Sequence, residues 1–507
     1  MELLLVLLKL LFCLAVSSDA ANILAIVPFK GRSHFIVIQP LLEGLAERGH
    51  NVTVVSTYPR EDSIQNYHDI DLSDEMGPSE LNRLAIDDIN SKYRSPLKGM
   101  HWIWELCESM CHIAYNSSKV QNLIKSQQKY DLLITEIFAS DCYIPFAHKL
   151  RVPLVSISTF YPTPWLNPRI SNPDNPSYIT HYALPYTDKM TFTQRLLNTL
   201  AVVYGRVGYH LLSDSASYDM GRTYFGSDLP SISDISKETS LILVNNHHSI
   251  SQVRPLVPNL IEIGGIHLRP PRPLPKDLQN ELDKSEKGII IFSFGSVVRA
   301  SSLPASIVDD FIKAFARIDL TVLWKFEGTV GNLPPNVIVR KWIPQIDVIA
   351  HPNVKLLITH GGLASIIEAV SHGVPIIGIP MFGDQPSNIQ RIVGKGAGLK
   401  IDYSEINAET VYNTIQQILL NPTYKSNAEK LSRVFNDREM PPLETAVYWI
   451  EYVLRHKGAH HLRSGAQNLS WIELYCLDIL AFLIFGTTTF FIVSIKLIRI
   501  LVKFIIK

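Results

Sequence analysis

Polar side chains stand at the ends of two apolar runs in the stretch 356–388, LLITHGGLASIIEAVSHGVPIIGIPMFGDQPSN. His360 ends the first run and Gly362 opens a helix-like segment, while Asp384 and Gln385 follow the second run. Backbone N–H groups at the start of a helix attract phosphate, and glycine lets a ligand approach the backbone closely. His360 could add a hydrogen bond to a phosphate oxygen, and the acid–amide pair suits sugar hydroxyls. The spacing therefore predicts a site for phosphate and sugar groups.

Three further residues could complete such a site. The sequence FSFGS is a second glycine loop at a strand end, and it would offer Ser296 to the same phosphates. Glu368 follows His360 by about two helical turns, so its carboxylate could accept both hydroxyls of a ribose. Trp342, in the sequence WIPQ, could stack on a base. Three of the residues named so far also have a structural explanation when taken singly. His360 could cap a helix, Glu368 could be a solvated acid and Trp342 could pack in a core.

Apolar runs alternate with helix-like segments through most of the chain. This alternation predicts an α/β fold with two Rossmann-like, doubly wound domains facing a cleft. We expect an N-terminal domain over 21–250, a proline-rich linker over 251–285 and a C-terminal domain over 286–445. Ligands of such sheets bind at the carboxyl ends of the strands, where the residues above are placed. The predicted strands are 21–29, 51–57, 131–136, 153–159, 241–246, 288–296, 321–326, 337–343, 355–360 and 374–380.

The two ends of the chain carry membrane signals. Residues 1–20 are typical of a signal peptide, and the apolar run 474–495 is long enough to span a bilayer. The basic residues of 496–507 mark the cytoplasmic side, and 446–470 would hold a returning helix and the juxtamembrane chain. We therefore expect a single-pass type I protein of the endoplasmic reticulum membrane with its body in the lumen. Three glycosylation sequons agree with that topology, at Asn51, Asn116 and Asn468.

Composition excludes some classes of function. Lysine plus arginine equals aspartate plus glutamate, at 47 each, which leaves no electrostatic footprint for binding nucleic acid. The five cysteines show neither a disulfide framework nor zinc spacing, so we predict no metal site. Cys107 and Cys111 lie one turn apart on a predicted helix, and we expect them to be core thiols.

The pattern WIPQ…THGG…E…GVPIIGIPMFGDQ resembles the signature of the UDP-dependent glycosyltransferases, family 1 of the glycosyltransferases. The likeness extends over nearly the whole chain, including the signal peptide, FSFGS, the final span and the basic tail. The membrane-anchored layout is similar to the animal branch of that family, and the THGG form is similar to its insect members. The family's two-domain fold, known as GT-B, is the architecture that this resemblance implies.

The resemblance also implies roles for the donor-site residues. Trp342 would stack on uracil with Gln345 beside it, and Glu368 would hold the ribose. The diphosphate would be held by Ser296, His360, Gly362 and Ser365, and the sugar by Asp384 and Gln385. One departure is visible, since many relatives have asparagine where this chain has Ala364.

The catalytic pair is less sharply defined by the sequence. His34, in KGRSHF, resembles the family's catalytic base, and a helix start should keep it neutral and able to accept a proton. An acid should orient that histidine. Ungapped matching gives Glu136, but the loop is one residue longer than in relatives, and Asp141 in FASDC is our preferred partner, with Glu136 as the alternative.

The reaction implied is an inverting transfer of a hexose, most often glucose, from a UDP-sugar to a hydroxyl of a small lipophilic acceptor. The UDP-sugar is a co-substrate, and we expect that neither a cofactor nor a metal is required. The chain could also form a homo-oligomer. Two alternatives remain. The first is a metal-dependent glycosyltransferase, since Asp69-Ile70-Asp71 has the letters of that motif, although no strand precedes it. The second is a non-catalytic protein that binds a sugar nucleotide or a lipophile, which the displaced partner acid of His34 and the presence of Ala364 would permit.

Overall fold

The computed structural model describes residues 20–77, 85–86, 89 and 95–506. The signal peptide predicted at 1–20 lies outside these residues except for its last one. The chain divides into two compact units, Met1–Leu462 and Arg463–Lys507. The first unit contains two sheets and the second an apolar helix.

The first sheet has seven parallel strands in the order β3-β2-β1-β4-β5-β6-β7. Its central strands are buried on both faces, which is why they appear in the sequence as continuous apolar runs. The strands are β1 (Asn22–Ile26), β2 (Asn51–Ser56), β3 (Tyr67–Asp71), β4 (Leu132–Glu136), β5 (Leu154–Ser158), β6 (Thr239–Val244) and β7 (Leu260–Glu262). The helices described around this sheet are α1 (Arg32–Glu47), α2 (Ser73–Met76), α3 (Pro96–Asn116), α4 (Ser118–Lys125), α5 (Pro145–Leu150), α6 (Phe192–Gly208), α7 (Ser215–Phe225) and α8 (Ile232–Lys237).

The second sheet has six parallel strands in the order β10-β9-β8-β11-β12-β13. They are β8 (Ile289–Ser293), β9 (Thr321–Lys325), β10 (Val337–Arg340), β11 (Val354–Thr359), β12 (Ile376–Gly378) and β13 (Gly398–Lys400). The helices are α9 (Lys276–Asp283), α10 (Ala305–Phe315), α11 (Gln345–Ile349), α12 (Leu363–Ser371), α13 (Gln385–Gly394), α14 (Ala408–Leu420), α15 (Pro422–Asn436) and α16 (Pro442–Arg455). The predicted α/β architecture of two Rossmann-like sheets is thereby confirmed.

Three strands do not appear among the predicted ones. β3 carries the Asp69-Ile70-Asp71 sequence, for which we predicted no preceding strand, and it lies at the edge of the sheet beside β2. An edge strand can be polar because one side faces solvent, so its composition gives little signal. β7 lies inside the predicted linker and extends the first sheet beyond β6. Both β7 and β13 have three residues, which is too short for a recognisable pattern.

Helix α16 returns from the second domain to the first. It packs against α1 and β6, and its buried face of Ala446, Val447, Ile450 and Val453 joins the apolar cluster that contains Leu41 of α1. The chain therefore crosses between the two domains twice, once between β7 and α9 and again between α15 and α16.

One cysteine prediction is wrong. Cys111 forms a disulfide with Cys142, while Cys107 is a free, buried thiol. The partners are 31 residues apart in sequence. They meet because α3 packs beside the turn that follows β4, a contact that sequence spacing does not reveal.

In the second unit, α17 (Trp471–Leu474) precedes α18 (Leu477–Ile505). Helix α18 has 29 residues and a mean hydropathy of 2.0, so it is long and apolar enough to cross a membrane. It begins three residues after the predicted start and continues past 495 through Lys496 and Arg499. Lysine and arginine are good helix formers, so the basic segment extends the helix instead of ending it.

Candidate active site

His34 lies in the first turn of α1, beside the carboxyl end of β4. Its Nδ1 is 2.5 Å from Oε1 of Glu136 and 2.8 Å from the hydroxyl of Thr159. The Thr159 hydroxyl also donates to the same Glu136 oxygen, at 3.0 Å. An ionised carboxylate only accepts hydrogen bonds, so Nδ1 carries the proton and Nε2 is left with its lone pair. The rings of Phe29 and Phe138 pack against the imidazole, each with a centroid 4.6 Å away.

The preference for Asp141 as the partner of His34 is therefore corrected by the geometry. Asp141 is buried, forms an ion pair with Arg169 and accepts a hydrogen bond of 2.9 Å from the hydroxyl of Tyr209. Arg169 lies in a short 3₁₀ helix after β5, Asn167–Ile170, and its position could not be inferred from spacing. The carboxylate that meets His34 is Glu136, at the end of β4 as ungapped matching indicated.

His360 follows β11 directly and is packed between two glycines. A Cβ on Gly295 would lie 2.6 Å from the ring of His360, and one on Gly362 would lie 2.8 Å from it. Gly295 also has a φ of 70°, which favours glycine. Burial, with Lys325 nearby, lowers the pKa of His360 to about 4, so the ring is neutral near pH 7. A neutral ring can donate one hydrogen bond to an oxygen beside the N-terminus of α12, where Gly362 is the N-cap.

Gln345, Ser365 and Glu368 form a hydrogen-bonded group on the facing turns of α11 and α12. The Gln345 amide donates to Oε2 of Glu368 at 2.6 Å and to the Ser365 hydroxyl at 2.9 Å. Burial raises the pKa of Glu368 to about 7, although the Gln345 hydrogen bond and nearby Arg269 act in the opposite direction. Arg269 itself is held by both carboxylate oxygens of Asp347, at 2.6 and 2.8 Å. The group has the acceptor that two adjacent ribose hydroxyls would need.

Asp384 and Gln385 stand at the start of α13. Asn388 donates to the Asp384 carboxylate at 2.8 Å, and burial raises the pKa of Asp384 while this hydrogen bond lowers it. The Gln385 oxygen accepts from the backbone N–H groups of Met381 and Phe382, at 2.9 and 3.1 Å. The Gln385 oxygen therefore shapes the loop, and its amide nitrogen is the group that could donate to a sugar.

Trp342 is the exposed member of the predicted set, with 60% of its surface accessible. A side chain of this size that remains exposed on a cavity wall is available for stacking. The Lys325 ammonium lies 5.6 Å from its ring centroid and pairs with Glu327 at 2.6 Å. Ser296 is half-buried in the loop after β8.

One cavity of about 900 Å³ brings these groups together. His34 lies on one side, and the second domain contributes the predicted donor-site residues, namely Ser296, Trp342, Gln345, His360, Gly362, Ser365, Glu368, Asp384 and Gln385. Aromatic side chains of the first domain complete the wall, among them Phe138, Phe160, Trp165 and Tyr182. The two domains also touch directly, because Tyr161 donates to Asn388 at 2.7 Å and lies under Arg391.

Sequence reasoning missed several polar residues of this cavity, and three of them are close to the predicted groups. Thr159 follows β5 directly, Lys325 ends β9 and Arg269 lies in the predicted linker. The first two carry a usable signal, since they stand at the carboxyl ends of parallel strands. Arg269 carries none, because its position depends on its pairing with Asp347.

The three sequons differ in accessibility. Asn116, at the end of α3, and Asn468, in the second unit, are exposed. Asn51 is half-buried at the start of β2, where its amide donates to Asn22 at 2.9 Å. Asn51 is therefore the least suitable of the three for attachment of a glycan.

Comparison with known proteins shows which family this chain resembles. A family model described as "UDP-glucoronosyl and UDP-glucosyl transferase" matches residues 22–507. UDP-glycosyltransferase UGT5 of Dactylopius coccus is 42% identical over 470 residues, covering 92% of this chain and 89% of the relative. UDP-glucosyltransferase 2 of the same organism is 39% identical, with 96% and 94% covered. Mouse UDP-glucuronosyltransferase 1A7 is 33% identical, with 94% and 91% covered.

Solved structures support the same fold. The calicheamicin glycosyltransferase CalG4 superposes with a TM-score of 0.56 at 17% identity, covering 86% of this chain and 99% of that one. The glycotransferase of kitacinnamycin gives the same TM-score at 18% identity. At such identity the likeness concerns the fold alone, whereas the family model and the curated relatives concern the enzyme. The chain therefore belongs to the family of UDP-glucuronosyl and UDP-glucosyl transferases, and it is a UDP-glycosyltransferase.

Proposed function

We propose that this enzyme transfers a hexose, most often glucose, from a UDP-sugar to a hydroxyl of a small lipophilic acceptor, with inversion at the anomeric carbon. The observation that carries the proposal is the His34–Glu136 pair, with Nδ1 and Oε1 2.5 Å apart, whose histidine lines a cavity that is also lined by Asp384 and Gln385. A base in one domain and sugar-binding groups in the other would hold acceptor and donor on opposite sides of the reacting carbon.

The chemical step follows from the tautomer of His34. The Nε2 lone pair takes the proton of the acceptor hydroxyl as its oxygen attacks the anomeric carbon, and the bond from that carbon to the diphosphate breaks. The negative charge of Glu136 stabilises the imidazolium that forms. One displacement on the face opposite the diphosphate inverts the configuration.

The donor would lie against the second domain. Trp342 would stack on uracil, Glu368 would accept the ribose hydroxyls, and the diphosphate would face His360 and the N-terminus of α12. The helix dipole and the N–H groups there would stabilise the leaving charge, so we propose that no metal is needed. A UDP-glucose donor is consistent with the relative named UDP-glucosyltransferase 2.

The acceptor would occupy the aromatic part of the cavity. Phe138 and Phe160 pack edge to face at 5.3 Å, and Trp165 and Tyr182 lie at 90° to each other. Such walls favour an apolar molecule that presents one hydroxyl to His34. The acceptor would therefore be a phenol, steroid or similar lipophile.

We further propose that the body faces the lumen of the endoplasmic reticulum. The Cys111–Cys142 disulfide fits an oxidising compartment. The exposed Asn116 and Asn468 could accept glycans there. Glycosidase treatment should shift the electrophoretic mobility of the native protein, and the shift should be smaller for Asn116→Gln and for Asn468→Gln. This result would locate these segments in the lumen. A native protein without glycans would argue against that topology.

The direct test of the mechanism is His34→Ala. A general base contributes about 10²–10⁴-fold, so transfer should fall by that factor while UDP binding stays near wild type. His248→Ala is the matched control, since this histidine is more than half exposed and does not line the cavity. NMR of the product formed from UDP-α-glucose should show a β-glycoside. A retained α configuration, or activity of His34→Ala within a few-fold of the control, would exclude this mechanism.

A further inference from the structure

Tyr161 is a buried tyrosine of the first domain whose side chain contacts the second domain. It follows β5 by three residues, and 5% of its surface is accessible. Its hydroxyl donates to the side-chain oxygen of Asn388, on α13, at 2.7 Å. The guanidinium carbon of Arg391, on the same helix, lies 4.2 Å from the centroid of the tyrosine ring. One helix of the second domain therefore holds both the ring and the hydroxyl of this tyrosine.

Asn388 uses both ends of its side-chain amide. The nitrogen donates to the carbonyl of Gly361 at 2.9 Å and to Oδ2 of Asp384 at 2.8 Å, while the oxygen accepts from Tyr161. An asparagine amide has two N–H donors, so these two bonds use both of them. The reversed amide would place its oxygen against the oxygens of Gly361 and Asp384. The three partners together therefore select one orientation of Asn388.

The two acceptors of Asn388 belong to the predicted donor site. Asp384 lines the cavity, and Gly361 lies between His360 and Gly362, which line it as well. Gly361 is fixed by the chain on either side, because it lies between β11 and α12. The carboxylate of Asp384 can rotate about its own side-chain bonds. The hydrogen bond from Asn388 therefore matters more for the direction of this carboxylate than for the position of the glycine.

We propose that Tyr161 is a positioning residue for the donor sugar, because its hydroxyl fixes Asn388 and Asn388 directs the Asp384 carboxylate. The inference rests on the proposed function, in which Asp384 binds the sugar of the UDP-sugar. Tyr161 is not among the residues that line the cavity, so it acts through Asn388 and not on the substrate. Since Tyr161 and Asp384 belong to different domains, the sugar site is complete only when the domains are in contact.

The test is Tyr161→Phe in the full-length chain. Phenylalanine keeps the ring beside Arg391 and removes the hydroxyl, which leaves the buried oxygen of Asn388 without this donor. The amide can regain a hydrogen bond only by moving, and Asp384 then loses its support. The KM for UDP-glucose should rise about 2- to 10-fold, as for the loss of one hydrogen bond, while the inhibition constant of UDP alone stays within about twofold. The kcat should change less than KM, since His34 and Glu136 are untouched.

Tyr115→Phe is the matched control. Its hydroxyl is also buried and donates to the carbonyl of Cys142 at 2.6 Å, and Tyr115 is outside the residues that line the cavity. The control should lower Tm and leave KM for UDP-glucose unchanged. A general loss of packing would affect both variants alike, so a KM that rises for Tyr161→Phe alone supports the proposal.

A double variant tests the route. Adding Tyr161→Phe to Asp384→Ala should raise KM no further, because both changes act through one carboxylate. Effects that multiply would show that Tyr161 acts by another route and would overturn the proposal. An equal rise in the inhibition constant of UDP would make the contact structural and overturn it as well.

The single variants separate this inference from the proposed function. If Asp384→Ala raised KM and Tyr161→Phe did not, the inference alone would be wrong and the sugar contact of Asp384 would stand. If Asp384→Ala itself left KM unchanged, the proposed sugar contact would fail, and the positioning role of Tyr161 would fail with it.

Discussion

The pairing of His34 with Glu136 gives a quantitative prediction. Glu136→Gln keeps the shape of the side chain but removes the charge that faces Nδ1 at 2.5 Å. At an effective dielectric constant of about 20, a full imidazolium–carboxylate pair at this distance is worth about 7 kcal/mol. If about half of the proton has moved in the transition state, the loss is about 3 kcal/mol, which corresponds to about 10²-fold in kcat.

Asp141→Asn is the informative comparison, because the same chemical change is made in a buried ion pair with Arg169. Removing one partner of such a pair costs about 3–5 kcal/mol of folding stability. We therefore expect a lower Tm for Asp141→Asn with nearly normal turnover per folded molecule, and the reverse for Glu136→Gln. The assay is initial-rate kinetics, with active protein counted by UDP binding and unfolding followed in detergent.

The opposite pattern would refute the geometry. If Asp141→Asn lost turnover per folded molecule and Glu136→Gln kept it, the acid would be Asp141, the partner that we preferred from the sequence. If both variants kept turnover within a few-fold, no carboxylate would support the histidine, and the dyad would be the wrong mechanism for this chain.

Three further predictions concern the donor side. Asp384→Ala should raise KM for the UDP-sugar about 2- to 10-fold, through the loss of one hydrogen bond, without weakening UDP alone; an equal loss for UDP would make Asp384 structural. The pKa of Glu368 is raised from 4.5 to about 7, so the folded chain binds one more proton than the unfolded chain between these pH values. The stability of the ligand-free protein should therefore fall as pH rises through that window, and thermal unfolding of Glu368→Gln should lack this slope. The pKa of His360 is lowered from 6.5 to about 4, which gives the opposite dependence of stability on pH. Stability should fall as pH drops from about 6.5 to about 4. If His360→Asn showed the same dependence of stability on pH in this range, the burial argument would be contradicted.

The parts of the site that could be predicted from the sequence are those fixed by local geometry. His360 and Gly362 are adjacent in the chain at a strand-to-helix turn, and Glu368 is two turns away on the same helix. Such relations follow from helix and strand periods alone. The same reasoning located both sheets, because buried parallel strands appear as apolar runs.

The parts that could not be predicted depend on contacts between distant segments. Asp141 pairs with Arg169 instead of His34 because a short 3₁₀ helix after β5 carries that arginine into the core. Cys111 meets Cys142 for a similar reason, because the two cysteines belong to segments that are 31 residues apart in the chain. None of these relations has a fixed sequence period.

The double crossing of the chain between the domains has a mechanical consequence. Two covalent connections, between β7 and α9 and between α15 and α16, hold the domains together at two points. A second connection reduces the freedom with which the domains could separate, compared with a single linker. The contact of Tyr161 with Arg391 joins the two domains as well.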